Sequence, residues 1–310
     1  MTAGPARAAV AYRGHVTRGR AAAAAWSAAV ACGLGVWLLW RVFVDTVPGQ
    51  QVERLAFDGA LFGQTHLWST AHGVLDVVSI WFIALALAVA AGVALVRRRW
   101  ELAVQVAVLV AGANLTTRIL KTVVLERPDL GLGRTGDNTL PSGHTTAAAS
   151  VSAALLFVLP PRARPWVAVL GGGYTAATGV STLIGRWHRP SDAVAATLVV
   201  LGWTAVACAL SAGSRTVPTV TDQLPVVRTG GRPSAHAVAL GVLLAGGLAA
   251  AGVAALLLVR TWSVRAAGGG RATELLAYAG GVSAVIAASA LTFAAMLVLR
   301  RSTGSDAKTA

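Results

Sequence analysis

Long apolar runs separated by short polar stretches dominate the chain. A helix that crosses a bilayer needs about 20 mostly apolar residues, and eight runs approach that length. The pattern predicts an all-α, polytopic membrane protein with about eight transmembrane helices. The predicted spans are residues 21–44, 73–96, 102–121, 143–160, 165–185, 191–213, 237–259 and 275–299.

The polar stretches divide the chain into five predicted parts. A polar segment with three prolines and no apolar period, residues 214–234, separates the sixth span from the seventh. We interpret this segment as a cytoplasmic linker between a six-helix core and a C-terminal hairpin. The parts are a basic cytoplasmic tail (1–20), the six-helix core (21–213), the linker (214–234), the transmembrane hairpin (235–300) and a disordered tail (301–310).

Basic residues in the loops predict the orientation. With the N-terminus in the cytoplasm, the inside segments hold 15 Arg and Lys residues and the outside segments hold nine. Cytoplasmic loops carry the excess of positive charge in membrane proteins. The sequence therefore predicts a multi-pass protein of the cell membrane with both termini in the cytoplasm. The loop around Arg260–Arg271 runs against this rule.

Composition narrows the function classes. Of the 310 residues, 55% are hydrophobic and only 12% are charged, whereas a soluble domain is typically about 25% charged. The net charge of +14 does not indicate a nucleic-acid partner, because the arginines lie between apolar runs as membrane anchors. Cys32 and Cys208 lie inside apolar runs, which favours buried thiols over a disulfide framework.

Two polar clusters interrupt this pattern, and both fall at predicted outer helix ends. The first contains Arg118, Lys121 and Arg127 and continues at Pro141-Ser142-Gly143-His144; the second is the run 186–192. Ionisable residues in or beside spans usually have a function. Lys121 is one of only two lysines beside 24 arginines, which favours a specific role over a snorkelling side chain.

The residue types in these clusters suit phosphate chemistry. Ser142 can cap a helix whose first N–H groups bind an anion, and His144 can donate a proton; an ordinary N-cap with an interfacial histidine fits equally well. His188 and Asp192 are four residues apart, so the carboxylate can orient the imidazole. The two histidines and Asp192 also resemble zinc ligands, but the surrounding cations favour phosphate over a metal, and we expect no metal or cofactor.

Two other patterns carry less weight. Residues 131–136 spell a dinucleotide-binding fingerprint, but no strand precedes them, so we interpret them as a loop. Asp76 lies near the outer end of the second predicted span and fits an interfacial residue better than a site residue.

These clusters resemble the type 2 phosphatidic acid phosphatase (PAP2) family, the membrane branch of a superfamily that includes the vanadium haloperoxidases. The family shows three blocks, K-x6-RP, PSGH and SR-x5-H-x3-D. The second block is complete at residues 141–144, and the third matches at Ser181, His188 and Asp192 with both long spacings correct. The resemblance covers residues 102–192 by motif and 21–213 by helix count.

The resemblance implies a lipid phosphate or diphosphate phosphatase with its site at the extracytoplasmic face. His188 would attack phosphorus and form a phosphohistidine, Asp192 would orient it, and His144 would protonate the leaving group. The phosphoryl oxygens would be held by Lys121, Arg127, Ser142 and the Gly143 N–H, with Arg118 able to share the task of Lys121.

Two departures from the family pattern affect this assignment. The gap between Lys121 and Arg127-Pro128 is five residues instead of six, and Thr182 stands where the third block has its arginine. We expect Arg186 to replace that arginine. Arg189 is the other nearby cation.

Several alternatives remain open from sequence. The protein is either a hydrolase, a lipid-linked phosphotransferase, or a catalytically impaired lipid-binding or scaffold relative. A transporter is disfavoured because the ionisable residues cluster at one face instead of the midplane. The expected partners are a phosphorylated lipid substrate and membrane lipids. For the hairpin, homodimer formation, lipid entry and added bulk all remain open.

Overall fold

The computed structural model describes residues 5–77, 88, 92, 100–132, 137–213, 234–267 and 270–303. Within these ranges the chain forms eight α-helices and no strand. They are α1 (Pro5–Leu39), α2 (Val47–Val77), α3 (Trp100–Ile119), α4 (Gly143–Val158), α5 (Arg164–Ile184), α6 (Pro190–Gly213), α7 (Ala235–Val264) and α8 (Arg271–Thr303). A π-helical turn follows α1 (Trp40–Val44) and another follows α3 (Leu120–Val124).

The described helices confirm an all-α, polytopic membrane protein. Six of their segments are long and apolar enough to cross a bilayer, and α4 is a shorter apolar helix. Large apolar side chains such as Leu34, Leu170 and Leu248 remain exposed on these helices, as expected for surfaces that face lipid. The six candidate spans are Gly19–Val44, Trp100–Val124, Arg164–Ile184, Pro190–Ala212, Ala235–Val264 and Arg271–Ser302.

Helix α2 differs from the prediction. The second span was expected to begin at Gly73, but the helix begins at Val47 and continues through Gly73 to Val77. Its buried positions recur every three or four residues, at Val52, Ala56 and Ala60, which is the pattern of a helix with one packed face. Beyond residue 77 the predicted span 73–96 lies outside the described residues, apart from positions 88 and 92.

Small residues and interhelical hydrogen bonds hold the bundle together. Helix α6 packs against α1, α3, α4 and α8, and small residues allow such close approach between membrane helices. Thr117 of α3 lies 2.9 Å from Thr146 of α4, oxygen to oxygen, and Asn114 donates to Ser150 at 3.1 Å. These contacts fix α3 against the start of α4, where one of the predicted clusters lies.

The C-terminal hairpin is packed into the bundle. Helix α7 lies along α8, and α8 also packs against α2, α5 and α6. A Cβ on Gly171 of α5 would lie 2.8 Å from the ring of Phe293 in α8, so this glycine permits the close contact between the two helices. The hairpin therefore shares an interface with the helices that end at the candidate site.

Candidate active site

Four helix ends and one side of α2 meet at one end of the bundle. These ends are the C-terminus of α3, the N-terminus of α4, the C-terminus of α5 and the N-terminus of α6. Both sequence clusters lie at these helix ends and in the connections between them. The opposite end of the bundle holds the C-termini of α4 and α8 and the N-termini of α5 and α7.

A buried histidine–aspartate pair lies at the start of α6. The Nδ1 atom of His188 is 3.1 Å from Oδ2 of Asp192, and the two side chains are 6% and 0% exposed. Pro190 begins α6, where its missing N–H leaves no bond unmade. With Nδ1 bonded to a carboxylate, Nδ1 carries the proton and Nε2 keeps the lone pair. The predicted orienting geometry is therefore present.

The turn between α5 and α6 holds His188 in place. The backbone N–H groups of Trp187 and His188 both donate to the carbonyl of Thr182, at 3.1 and 3.3 Å. Thr182, which stands in place of the family arginine, is fully buried, and its hydroxyl donates to the Gly179 carbonyl at 2.7 Å. Its side chain is therefore committed to its own helix. Arg186 in this turn adopts a positive φ of 56°.

Asp192 is the most connected residue of the site. Its Oδ2 atom also accepts from the Thr139 hydroxyl at 2.7 Å and from the Arg189 N–H at 2.9 Å. Its backbone carbonyl accepts from the Ser142 N–H at 2.9 Å. This last bond fixes the start of α4 beside the histidine–aspartate pair, although the two segments are 50 residues apart in the chain.

The N-terminus of α4 has the expected cap. Ser142 is buried, and its hydroxyl accepts from the N–H and the hydroxyl of Thr145 at 3.4 and 3.0 Å. The first intrahelical bond is donated by Thr146 N–H to Ser142 O, so the N–H groups of Gly143 and His144 have no partner within the helix. Gly143 is exposed. These free donors and the helix dipole form a site for an anion.

His144, which ends the first cluster, lies beside the second cluster. Its ring is 5.5 Å from the indole of Trp187, centroid to centroid. Both His188 and Lys121 are close enough to His144 to interact with it electrostatically. Arg118 is exposed on α3, while its neighbour Thr117 faces α4, so the structure brings Lys121 to the site and leaves Arg118 at the periphery.

Arg127 is buried in the loop after α3 and pairs with a residue of α2. Its side chain and that of Glu53 are each 2% exposed, and Nη1 lies 3.6 Å from Oε2 of Glu53. The flanking backbone is anchored, because Trp40 donates to the Glu126 carbonyl at 2.8 Å and Gln50 donates to the Pro128 carbonyl at 3.0 Å. The loop therefore presents Arg127 in a fixed position.

Electrostatics around Arg127 favour a bound anion. Burial and the nearby guanidinium of Arg189 lower the pKa of Arg127. Burial, followed by repulsion from Asp192, raises the pKa of Glu53 to about 7. Among the described residues, Nε and Nη1 of Arg127 find no hydrogen-bond acceptor, and buried donors normally have one. The unused donors of Arg127, next to the positive charge of Arg189, suit a phosphoryl group.

Arg186 and Arg189 differ in what they contact. Arg186 donates from Nη2 to Asp58 at 3.2 Å and from Nε to the Phe57 carbonyl at 3.1 Å, so it is bound to α2. Arg189 donates to the Thr139 hydroxyl at 3.2 Å. Its guanidinium is also close enough to Arg127 to lower the pKa of that residue. The structure thus places Arg189 close to Arg127 and engages Arg186 with α2; that Arg186 replaces the missing arginine stays a prediction.

Helix α2 and Thr139 contribute to the site without a signal in the sequence motifs. Glu53, which binds Arg127 and accepts from the Ser191 N–H at 3.3 Å, lies in a segment that had no predicted element. Trp68, also in α2, packs edge-on against Trp187 with ring centroids 6.0 Å apart. The available signal was a carboxylate within the periodic apolar stripe of α2, flanked by Val52 and Ala56.

The donor set of the site favours anions. Within the described ranges, no group of three or more His, Cys, Asp or Glu side chains is placed to hold a metal ion. The described cations at the site are Lys121, Arg127 and Arg189.

Comparison with known families identifies this region. Residues 102–218, which include both clusters, match the family model of the PAP2 superfamily. No curated protein and no solved structure gave a match.

Proposed function

Because residues 102–218 belong to the PAP2 superfamily and the chain is a multi-pass membrane protein, we propose that it is a phosphatase of membrane lipid phosphates or diphosphates. It acts through a phosphohistidine on His188. The observation that carries the proposal is the buried His188–Asp192 pair, fixed by backbone bonding beside the free N–H groups of α4. The site faces the extracytoplasmic side if the loop charges set the orientation.

The proposed reaction has two steps. In the first, Nε2 of His188 attacks phosphorus, the bond from phosphorus to the leaving oxygen breaks, and His144 donates a proton to that oxygen. In the second, His144 takes a proton from water, the resulting hydroxide attacks phosphorus, and the N–P bond breaks to release inorganic phosphate. Such reactions depend mainly on positioning and charge stabilisation.

The charges of the site fit this sequence. Arg127, Arg189 and Lys121 neutralise the phosphoryl oxygens, together with the N–H groups of Gly143 and His144. Asp192 keeps the Nδ1 proton in place and stabilises the positive charge that develops on His188. Glu53 acts as a positioning residue, because it holds the buried guanidinium of Arg127.

An apolar cavity beside the site supports a lipid substrate. It has a volume of about 300 Å³ and is bounded by α1, α2, α6, α7 and α8. Glu53 and Ser191 form part of its wall, and most of the remainder is apolar, including Val194, Ala254 and Ala284. In this proposal a hydrocarbon tail occupies the cavity next to Arg127, and the hairpin helps to hold the lipid.

The proposal is tested by phosphate release from purified protein in detergent. We expect release from long-chain lipid phosphates or diphosphates, unchanged by EDTA, and a labelled enzyme intermediate that is stable to base and labile to acid. Loss of activity with EDTA would contradict the metal-free mechanism. Transfer of phosphate to an added lipid alcohol in preference to water would identify a transferase instead.

We expect Arg189, and not Arg186, to supply the phosphate contact of the missing family arginine. Arg189→Ala is expected to lower kcat/KM about 10²- to 10³-fold, because one charge-assisted contact to the transition state is worth about 2.7–4 kcal/mol. Arg186→Ala is expected to lower it less than about 10-fold, because Arg186 is bound to Asp58 and Phe57. Steady-state kinetics of both variants measure the two losses in kcat/KM. A larger loss for Arg186→Ala than for Arg189→Ala would mean that Arg186 is the phosphate ligand.

The raised pKa of Glu53 predicts that substrate binding depends on pH. Its pKa is raised to about 7, so it is largely neutral at pH 6 and largely ionised at pH 8. Ionisation adds a negative charge 3.6 Å from Arg127 and competes with the substrate for that guanidinium. The KM of the wild type should therefore rise between pH 6 and pH 8, by about 10-fold, or about 1.4 kcal/mol.

Glu53→Gln serves as the comparison. Glutamine retains an acceptor for the Ser191 N–H but has no charge, so its KM should change less over the same range. Ionisation of the substrate affects both proteins alike and cancels in the ratio of their KM values. Parallel pH profiles would show that Glu53 does not titrate next to the substrate.

A further inference from the structure

The apolar cavity beside the candidate active site is a narrow slot that runs down into the bundle. On α8 its lining residues extend from Ala277, towards the site, to Ala287 at the deep end. At 1.5 Å per residue this stretch of helix is about 15 Å long. The hydrocarbon core of a bilayer is about 30 Å thick, so the slot has the depth of one leaflet.

The width of the slot admits one hydrocarbon chain. A volume of about 300 Å³ over a length of about 15 Å corresponds to a mean cross-section of about 20 Å². Such a section is about 4.5 Å across, and packed carbon atoms lie about 3.5–4.0 Å apart. Two chains side by side therefore do not fit between the five helices that bound the slot.

Small side chains of the C-terminal hairpin keep the slot open. The hairpin residues that line it include Ala251, Ala254 and Ala255 of α7 and Gly280, Ala284 and Ala287 of α8. Ala251 and Ala284 are only half-buried, so a longer side chain at either position would extend into the deep half of the slot. The hairpin therefore determines how long a chain the slot can hold.

The upper end of the slot is polar and adjoins the candidate active site. Pro190 and Ser191 line it there, directly after the turn that carries His188. A Cβ on Gly281 of α8 would overlap the ring of Pro190, so α8 lies directly against the start of α6.

A buried hydroxyl at this upper end lacks a partner. Ser191 is 4% exposed, and its Oγ makes no hydrogen bond to any described residue, whereas buried hydroxyls normally have one. An oxygen of a bound headgroup would supply the missing partner. A polar upper end above an apolar slot of one-chain width matches a lipid with a polar head and a single tail.

We propose that the substrate is a lipid phosphate or diphosphate with a single hydrocarbon chain, and that the C-terminal hairpin selects it. The chain lies in the slot, and Ala251 and Ala284 set the length that fits. This inference rests on the proposed function, since the slot holds the chain while the phosphate reacts at His188. A lipid with two chains leaves the second one without a place.

The test compares three variants of the full chain in phosphatidylcholine nanodiscs. Ala251→Leu and Ala284→Leu each fill the deep half of the slot from a different helix, so that one remains informative if the other does not fold. Ala249→Leu makes the same change at an exposed position of α7 outside the slot. Phosphate release is measured with butyl phosphate, dodecyl phosphate and didodecanoyl phosphatidic acid.

In the wild type we expect kcat/KM for dodecyl phosphate to exceed that for the two-chain lipid at least 10-fold. The ratio of kcat/KM for dodecyl to butyl phosphate should fall at least 10-fold in Ala251→Leu and Ala284→Leu, because each buried methylene is worth about fourfold in binding. In Ala249→Leu it should stay within about twofold. An unchanged ratio in both slot variants would overturn the proposal, as would an equal fall in Ala249→Leu or equal turnover of the two-chain lipid.

Calorimetric binding of dodecylphosphonate and butylphosphonate, which cannot be hydrolysed, separates this inference from the proposed function. If no substrate released phosphate but Ala284→Leu weakened binding of dodecylphosphonate alone, the slot would stand and the phosphatase would fail. If phosphate were released but all four proteins kept the same chain-length preference, the phosphatase would stand and the slot would fail. Binding that is independent of chain length in the wild type would overturn the slot whatever the turnover.

Discussion

Replacing His188 by alanine is expected to reduce phosphate release by about 10⁴-fold or more. Loss of a residue that forms the covalent intermediate typically removes nearly all of the rate that its catalytic unit provides, about 10⁶-fold in a well-studied protease. Alanine at this position leaves Asp192, Thr139 and the cap of α4 in place, so the substrate still binds. The labelled phosphoenzyme should disappear together with the activity, while KM changes little.

The chain contains a matched control for this variant. His72 and Asp76 on α2 form the same i, i+4 pair, with Nδ1 2.9 Å from Oδ2, but their side chains are 53% and 67% exposed. His72→Ala removes an imidazole with the same local partner and should leave turnover within about twofold of the wild type. Equal loss in both variants would mean that His188 is not the nucleophile, as would full retention of the phosphoenzyme in His188→Ala.

The contrast between these two pairs shows what sequence can predict of the site and what it cannot. Local geometry follows from spacing: four residues along α2, or four residues from the preceding turn into the start of α6, bring an imidazole to a carboxylate. Burial does not follow from spacing, because it depends on which helices cover the pair. For His188 and Asp192 the cover includes Thr139 and the start of α4, which are distant in the chain.

The start of α4 was predictable for the same local reason. Ser142 precedes an apolar run and caps it as the pattern indicates, and the N–H groups of Gly143 and His144 follow from helix geometry. Lys121 also reaches the site, because it lies at the end of an apolar helix whose length is readable from composition. Each of these features depends only on residues within a few positions of one another.

Helix α2 was not predictable by the same means. Its packed face includes glycine, alanine and Glu53, and polar residues lie between these positions. The segment therefore contains no long apolar run that would predict a helix. The contact between Glu53 and Arg127 joins positions 74 residues apart, and it exists because α2 packs against α5 and α8. The position of Arg186 likewise depends on α2, because its partners Asp58 and Phe57 lie on that helix, far from it in the sequence.

The second large effect is expected for Asp192→Asn, at about 10³- to 10⁴-fold in kcat. Oδ2 of Asp192 accepts three hydrogen bonds, from His188, Thr139 and the Arg189 backbone. An asparagine oxygen carries no negative charge, so it accepts these hydrogen bonds more weakly and does not stabilise the positive charge on His188. In a serine protease triad the equivalent change costs about 10⁴-fold, because the histidine adopts the wrong tautomer.

Separate measurement of kcat and KM distinguishes this effect from simple loss of structure. A misfolded variant loses substrate binding together with turnover, whereas loss of the orienting carboxylate should lower kcat and leave KM close to the wild-type value. Asp76→Asn, at the exposed pair on α2, is the matched control and should retain both constants. If Asp192→Asn kept the wild-type rate, the carboxylate would not orient the nucleophile. The three hydrogen bonds that Oδ2 accepts would then have only a structural role, which is to hold Thr139 and the backbone at Arg189 against the start of α6.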